Sequence, residues 1–235
     1  MDGLRGKAAL VTGASGGIGA AVSRKLHEAG ARVAMLSRRG DDLGLDGEIG
    51  IACDVRDRAD VARATEEAAA RLGQIDIVVA NAGVGSYGPF TEIDLDDVDR
   101  MIDTNLKGVI WTAHATIPHL IEAGAGDFIS VASIAGLNAF PGEAVYNASK
   151  FGQVGFVRAL DIELREKGVR CSTIAPGGVN TGFAIGSGRD EDDEELEQMM
   201  SADEVADVVM FALTRPRNMR LMTTTFRPMS EGSWG

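Results

Sequence analysis

Apolar positions along this chain follow two rhythms that alternate from end to end. Continuous apolar runs of strand length cover Lys7 to Val11, Arg32 to Ser37, Glu48 to Cys53, Ile75 to Asn81, Asp127 to Ser133 and Val169 to Ala175. Between them, apolar residues recur at helical spacing over Gly17 to Ala29, Asp57 to Leu72, Leu95 to Glu122 (interrupted near Pro118) and Val145 to Lys167. The unbroken Ile-Val-Val of the fourth run fits a strand covered on both faces. Strand and helix in strict alternation predict an α/β fold, a parallel sheet with helices on both sides. Gly40 to Gly47 mixes glycines and aspartates and reads as a loop. Beyond Pro176 the pattern weakens. Thr181 to Gly188 is rich in glycine, and Asp190 to Glu197 is almost wholly acidic, either a solvated helix face or a lid over a pocket. Asp203 to Leu213 then reads as a helix capped by Ser201, and Met219 to Phe226 as a last strand. No linker divides the chain, so one domain is expected over residues 1–235.

Composition narrows the function. A formal net charge of -12 repels phosphate backbones and anionic surfaces, which argues against nucleic-acid or membrane partners. No apolar run approaches the ~18 residues of a membrane span, and no cationic leader precedes the first strand. The cysteines, Cys53 and Cys171, both fall in strand-like runs, as expected of buried free thiols in a reducing compartment, hence a cytoplasmic protein. His27, His114 and His119 lack metal-ligand spacing, so no metal site is expected.

Thr12 to Gly19 lies where the first strand should turn into the first helix. Gly13 permits a tight turn, Gly17 lets the backbone approach a pyrophosphate, and Gly19 allows close helix packing. The helix N-terminus then offers N–H groups to the anion. The spacing, glycine at 13, 17 and 19, differs from the general dinucleotide fingerprint, so position after a strand carries the argument. After the second strand, an acidic residue would bind a free ribose 2′-hydroxyl, whereas a basic one would accept a 2′-phosphate. The chain has Ser37, Arg38 and Arg39 there, which favours NADP(H) over NAD(H). A pair of exposed surface arginines is the plainer alternative.

Tyr146 and Lys150 are four apart and share a helix face. An ammonium beside a phenol favours phenolate and draws its pKa down from about 10, toward a value useful for proton transfer. Ser133 ends the fifth strand run, at the edge where ligands gather in open α/β sheets. Asn105 lies inside a helical stretch despite low helix propensity, which calls for a specific hydrogen bond.

With these residues in view, the chain resembles the short-chain dehydrogenase/reductase family over essentially its whole length. The resemblance rests on Thr12-Gly-x-x-x-Gly-Ile-Gly19, Asp54-Val55, Asn81-Ala-Gly83, Asn105, Ser133, Tyr146-x-x-x-Lys150 and Pro176-Gly177. It implies a seven-stranded parallel sheet of Rossmann type, doubly wound. It further implies an NADP(H)-dependent enzyme interconverting a carbonyl and an alcohol on a small polar substrate. By resemblance Tyr146 is the general acid/base, and Lys150 holds the nicotinamide ribose and lowers the tyrosine pKa. Ser133 polarises the substrate oxygen, and Asn105 anchors a water that relays protons to Lys150. Gly13, Ser15, Gly17, Ile18 and Gly19 cradle the cofactor phosphates, and Asp54 and Val55 meet the adenine. Asn81, Ala82 and Gly83 line the cofactor cleft, and Pro176, Gly177, Val179 and Thr181 close over the nicotinamide. Ala80 departs from the family's usual asparagine, and Gly16 stands where NADP users often carry a basic residue. The alternatives are an NAD(H)-dependent alcohol dehydrogenase of the same family and a non-catalytic NADPH-binding regulator. The tail around Arg215 to Asn218 and Phe226 to Pro228 looks like that of members acting on small hydroxy acids or similar polar alcohols.

The helix from Val145 to Leu164 is apolar on more than one face, with Phe151, Val154, Phe156, Val157, Leu160 and Ile162 among its residues. One sheet covers one face, so a second subunit is expected on the other, giving a homodimer or homotetramer. The substrate pocket should be shaped by Gly85 to Phe90, Leu137 to Val145 and Gly182 to Met200, loops that do not announce a ligand.

Overall fold

The computed structural model describes residues 2–190, 192 and 194–232. In chain order they form β1 (Ala8–Thr12), α1 (Gly17–Glu28), β2 (Arg32–Ser37), β3 (Ile49–Ala52), α2 (Arg58–Leu72), β4 (Ile77–Ala80), α3 (Leu95–Met101), α4 (Gly108–Glu122) and β5 (Asp127–Val131). There follow α5 (Ala144–Leu164), β6 (Arg170–Pro176), β7 (Val179–Asn180), β8 (Met200–Ser201), α6 (Ala202–Leu213) and β9 (Thr223–Phe226). Seven strands make one sheet in the order β3-β2-β1-β4-β5-β6-β9. Every pairing in it is parallel, with β1 between β2 (Leu10 beside Ala34) and β4 (Leu10 beside Val78).

Alternate strand residues feed two separate cores. Ala9, Val11, Val33, Met35, Val79 and Ile129 point to the layer of α1 and α6, where Val22, Leu26, Val205 and Val209 meet them. Leu10, Leu36, Val78 and Phe128 point the other way, onto α2, α4 and α5 through Val61, Val109, Leu120 and Val157. Strands apolar on both faces are thus buried on both faces, as the continuous runs predict. The chain leaves β1 in one direction across the sheet and β4 in the other. The cleft between their C-terminal ends is the switch point where doubly wound sheets bind ligands.

Three local readings need correction. The break in Leu95 to Glu122 falls at a π-helical turn, Ile102–Lys107, and Pro118 lies inside a continuous α4. Pro118 withdraws a donor from the carbonyl of His114, an exposed residue that water can satisfy, so the helix survives it. The last strand is confined to Thr223–Phe226, because β6 pairs with it over that length alone. The acidic run contains a short 3-10 turn, Glu194–Gln198, while Glu191 and Asp193 lie outside the described residues. Met200–Ser201 forms a two-residue parallel ladder with Val179–Asn180 that the pattern did not disclose. Ser201 does cap α6, in a reciprocal box with Glu204. Among the described residues no helix is long and apolar enough to cross a membrane, and no cluster of metal-ligating side chains occurs.

Candidate active site

The turn from β1 into α1 is built by small residues and one asparagine. Gly13 takes φ +64°, and a Cβ there would lie 2.8 Å from the Cα of Ala82. A Cβ on Gly19 would overlap the Gly13 carbonyl oxygen and stand 2.6 Å from Asn81 Nδ2. Asn81 Nδ2 donates to the carbonyls of Thr12 (3.1 Å) and Gly13 (3.2 Å), locking this turn to the end of β4. Thr12 Oγ1 accepts from the N–H groups of Asn81 and Ala82, both at 3.1 Å. Gly16 precedes α1 and provides no side-chain cap; its carbonyl accepts from the Ala20 N–H at 3.2 Å, and the N–H groups of Gly17 to Gly19 receive no acceptor from it. Helix start and glycine turn together line one wall of a cavity of about 710 Å³ through Gly13, Ser15, Gly16, Gly17 and Ile18. A cradle that a Cβ would fill, at an uncapped helix N-terminus, fits a dinucleotide pyrophosphate.

The other walls bring together most of the residues singled out from sequence: Asn81, Ala82 and Gly83 after β4, Ser133 after β5, Tyr146 and Lys150 on α5, and Pro176, Gly177, Val179 and Thr181 after β6. Thr181 Cγ2 comes within 3.5 Å of where a Gly17 Cβ would stand, so the cleft is narrow between its two loops. Ser37, Arg38, Arg39, Asp54 and Val55 lie outside this cavity, Ser37 at the end of β2 and the others just past the ends of β2 and β3. Arg38 and Arg39 are exposed, and Arg39 is paired with Asp41 at 2.6 Å. Ser37 is buried and accepts from the Gly40 N–H. Arg56 grips the Asp54 carboxylate through Nε and Nη2 and holds it below the usual carboxylate range, while Val55 packs under Gly108.

Tyr146 is 5% exposed and Lys150 is 3% exposed, with the Lys150 nitrogen 5.6 Å from the Tyr146 ring centre. Their electrostatics differ from the sequence expectation. Burial pushes the Tyr146 phenol up, and burial pulls Lys150 down to about 7. Desolvation favours the neutral form of each partner, so Lys150 is less fully an ammonium than spacing alone suggested. What draws Tyr146 back down is first a hydrogen bond from Ser133, then the Arg189 charge and a hydrogen bond from Tyr87. Lys150 donates to Gln153 Oε1 at 3.1 Å and to the Val131 carbonyl at 3.5 Å.

Asn105 is held through its side chain by two neighbouring segments. It is fully buried in the π turn, where Oδ1 accepts from the Val84 N–H (2.8 Å) and Nδ2 donates to the Val84 carbonyl (2.9 Å) and to Ser149 Oγ (3.0 Å). Both amide hydrogens are engaged within the protein, so the side chain is a clamp between the loop after β4 and α5. Gly83 sits against both Asn105 Oδ1 and Lys150 Nζ. Sequence reading missed Gln153 and Glu231, and it named the loops that hold Tyr87, Phe140, Glu143, Phe183 and Arg189 as shaping the pocket without singling out these side chains. Gln153 had a legible signal, a polar residue amid an apolar helix; the others lie on loops whose course periodicity does not reveal.

A doubly wound parallel sheet with a glycine turn and a buried hydroxyl cluster at its switch point is the arrangement of nucleotide-dependent oxidoreductases. The model of the short chain dehydrogenase family matches residues 7–192, and the chain belongs to that family of oxidoreductases. It is 33% identical over 236 residues to an uncharacterized oxidoreductase of Staphylococcus aureus (strain N315), covering 97% of this chain and all of that one. Among solved structures it is similar to a closed form of serine dehydrogenase complexed with NADP+ (30% identity, TM-score 0.90, 97% of each chain). It is also similar to an alcohol dehydrogenase from the archaeon Thermococcus sibiricus complexed with 5-hydroxy-NADP (28% identity, TM-score 0.87, 97% of this chain and 99% of that one).

Proposed function

We propose that this oxidoreductase is a single-domain, NADP(H)-dependent enzyme interconverting a carbonyl and a secondary alcohol on a small polar substrate, with Tyr146 as general acid/base. The observation that carries the reading is the meeting of Ser133, Tyr146 and Lys150 in the same cavity as the glycine cradle. The nicotinamide supplies the hydride chemistry. The chain's own residues handle the oxygen: Ser133 steadies it, and the protonated phenol is placed to give a proton to a developing alkoxide. In the oxidative direction the same oxygen would act as the phenolate, taking the alcohol proton as hydride leaves the carbinol carbon for the nicotinamide. Lys150 is buried beside the phenol with a pKa near neutrality, a group able to exchange protons at working pH. Asn105 and Gln153 position; they do not react.

The choice of NADP(H) rests on Arg38, exposed directly after β2 where an arginine stands in place of an acidic residue, and it accords with the NADP+ and 5-hydroxy-NADP of the two neighbours named above. An assay of NADPH and NADH consumption over aldehydes, ketones and diketones, repeated with Arg38→Ala, tests cofactor and reaction together. NADPH should be consumed, and Arg38→Ala should raise its KM by about tenfold, the size of one lost charged contact, with little change for NADH. Equal effects on both cofactors, or no turnover of any carbonyl, contradict the reading. Cys53 and Cys171 are buried free thiols whose pKa values burial pushes up to about 12, which suits a reducing cytoplasm. We also infer a homodimer or homotetramer, with nucleic acid and membrane excluded as partners by the acidic charge.

A further inference from the structure

The chain contains two tyrosines, and both line the reaction cavity. Tyr87 follows β4, and its ring stands edge-on to that of Tyr146, with 87° between the planes and 5.5 Å between the centres. Its backbone is pinned by the other pocket loops. The Tyr87 N–H donates to the Ser187 carbonyl (3.0 Å), and the Gly88 N–H to the Gly142 carbonyl (2.9 Å). Glycines leave room for the ring: a Cβ on Gly188 would lie 2.5 Å from Tyr87 Cβ, and one on Gly85 would lie 3.1 Å from the Tyr87 hydroxyl oxygen. Phe183 flanks the pair, 5.9 Å from the Tyr146 ring centre. The two hydroxyls interact, with Tyr87 as donor and the Tyr146 oxygen as acceptor. A pocket wall needs a ring; it does not need a hydroxyl aimed at the reacting oxygen.

Tyr146 becomes a phenolate when it has given its proton to an alkoxide, and it must be one before it can deprotonate an alcohol. At a buried oxygen, each donated hydrogen bond favours the charged form. We propose that Tyr87 is a positioning residue for the reaction, its hydroxyl donating to the Tyr146 oxygen and stabilising the phenolate. The assignment rests on the acid/base reading of Tyr146. In oxidation the alcohol O–H bond breaks and its proton passes to Tyr146, while hydride leaves the carbinol carbon with its electron pair for NADP+. Tyr87 keeps its own proton throughout, because burial pushes its pKa up. Other groups face Tyr146 from several elements. Ser133 after β5 donates to it, Glu143 at the start of α5 opposes its ionisation, and Arg189 after β7 favours it. Lys150 lies one turn along α5, 5.6 Å from its ring centre. All of these are unchanged in Tyr87→Phe, so comparison with the parent isolates one hydroxyl.

The test uses the full-length protein with tyrosine labelled by carbon-13 at Cζ and NADP+ bound. Two tyrosines give two Cζ resonances, and Tyr146→Phe identifies which is which. In Tyr87→Phe the Tyr146 resonance should move from its parent position, because its oxygen has lost a donor. Kinetics over a panel of secondary alcohols supply the second readout. Tyr87→Phe should shift the rising limb of the kcat–pH profile upward by about one pH unit, an about tenfold loss on the limb. KM for NADP+ and for the alcohol should stay near the parent values. Replacing Tyr87 with 3-fluorotyrosine, a stronger donor of nearly the same shape, should move the limb the other way. An unmoved Tyr146 resonance overturns the proposal whether or not any alcohol turns over. A moved resonance with an unmoved limb, or with a changed KM alone, also overturns it and leaves Tyr87 as a wall of the pocket. Full turnover by Tyr146→Phe would sink the acid/base reading and this role with it; unlike the unmoved resonance, it would leave the hydroxyl contact standing.

Discussion

Tyr146 and Lys150 show how spacing and surroundings can point in opposite directions. Four residues of separation put the two groups together, yet burial raises the pKa of the phenol and lowers that of the amine to about 7. This has a measurable consequence for stability. The unfolded chain holds the Lys150 proton up to about 10.4, while the folded chain releases it near 7. Between those values the unfolded state binds more protons, so the folded state gains stability as pH rises. Tyr146, raised in the fold, works against folding only above about pH 10, where the unfolded phenol begins to ionise. From pH 7 to 10 the stability of the wild type relative to Lys150→Met should therefore rise, by up to about 1.4 kcal/mol per pH unit. Urea titrations at several pH values measure it; parallel curves for the two proteins would show that Lys150 stays charged in the fold. The residue types at the site were legible from their motif spacing. Their protonation states were not, because desolvation is set by the whole surround and not by the neighbour one turn away.

At the scale of elements, periodicity located the helices and strands of the sheet and misjudged what lay between them. The period-two split of the strands into two cores follows from runs apolar at every position, so the sheet was readable. The π turn was not. Its cause is local: one extra residue per turn brings Asn105 inward to hold Val84 and Ser149, a demand that only the fold creates. The loops that hold Tyr87 and Arg189 were expected at the pocket, but which of their side chains reach it was hidden for the same reason, as was Glu231. Glycines carried more information, since those at 13 and 19 were assigned to turn and packing on position alone. Gly19 makes the sharper test, because backbone and not a yielding side chain fills the space its Cβ would need. Gly19→Ala should cost about 1–3 kcal/mol or more in urea unfolding and loosen NADPH binding with it. A variant as stable as the parent would show that the β1–α1 turn is slack.

The whole molecule leaves an apolar stripe on the outer side of α5. Phe151 and Ile162 are 46% and 68% exposed, and Gly155 and Ala159, also exposed, continue the same face between them. Phe156 and Leu160 pack inward against the sheet, so the helix has two apolar faces and the described residues cover one. Light scattering at micromolar concentration should give the mass of a dimer or tetramer, and Ile162→Asp should shift it toward 24.7 kDa, the mass of one chain. A monomeric parent contradicts the association proposed from that face. The central claim concerns chemistry, and one variant tests it most directly. Tyr146→Phe removes a single oxygen from a buried ring that Tyr87 and Phe183 continue to hold. The protein should bind NADPH as the parent does, by fluorescence titration, and lose about 10²–10⁴-fold in kcat on whichever carbonyl the parent reduces. Undiminished turnover with NADPH bound would contradict the account.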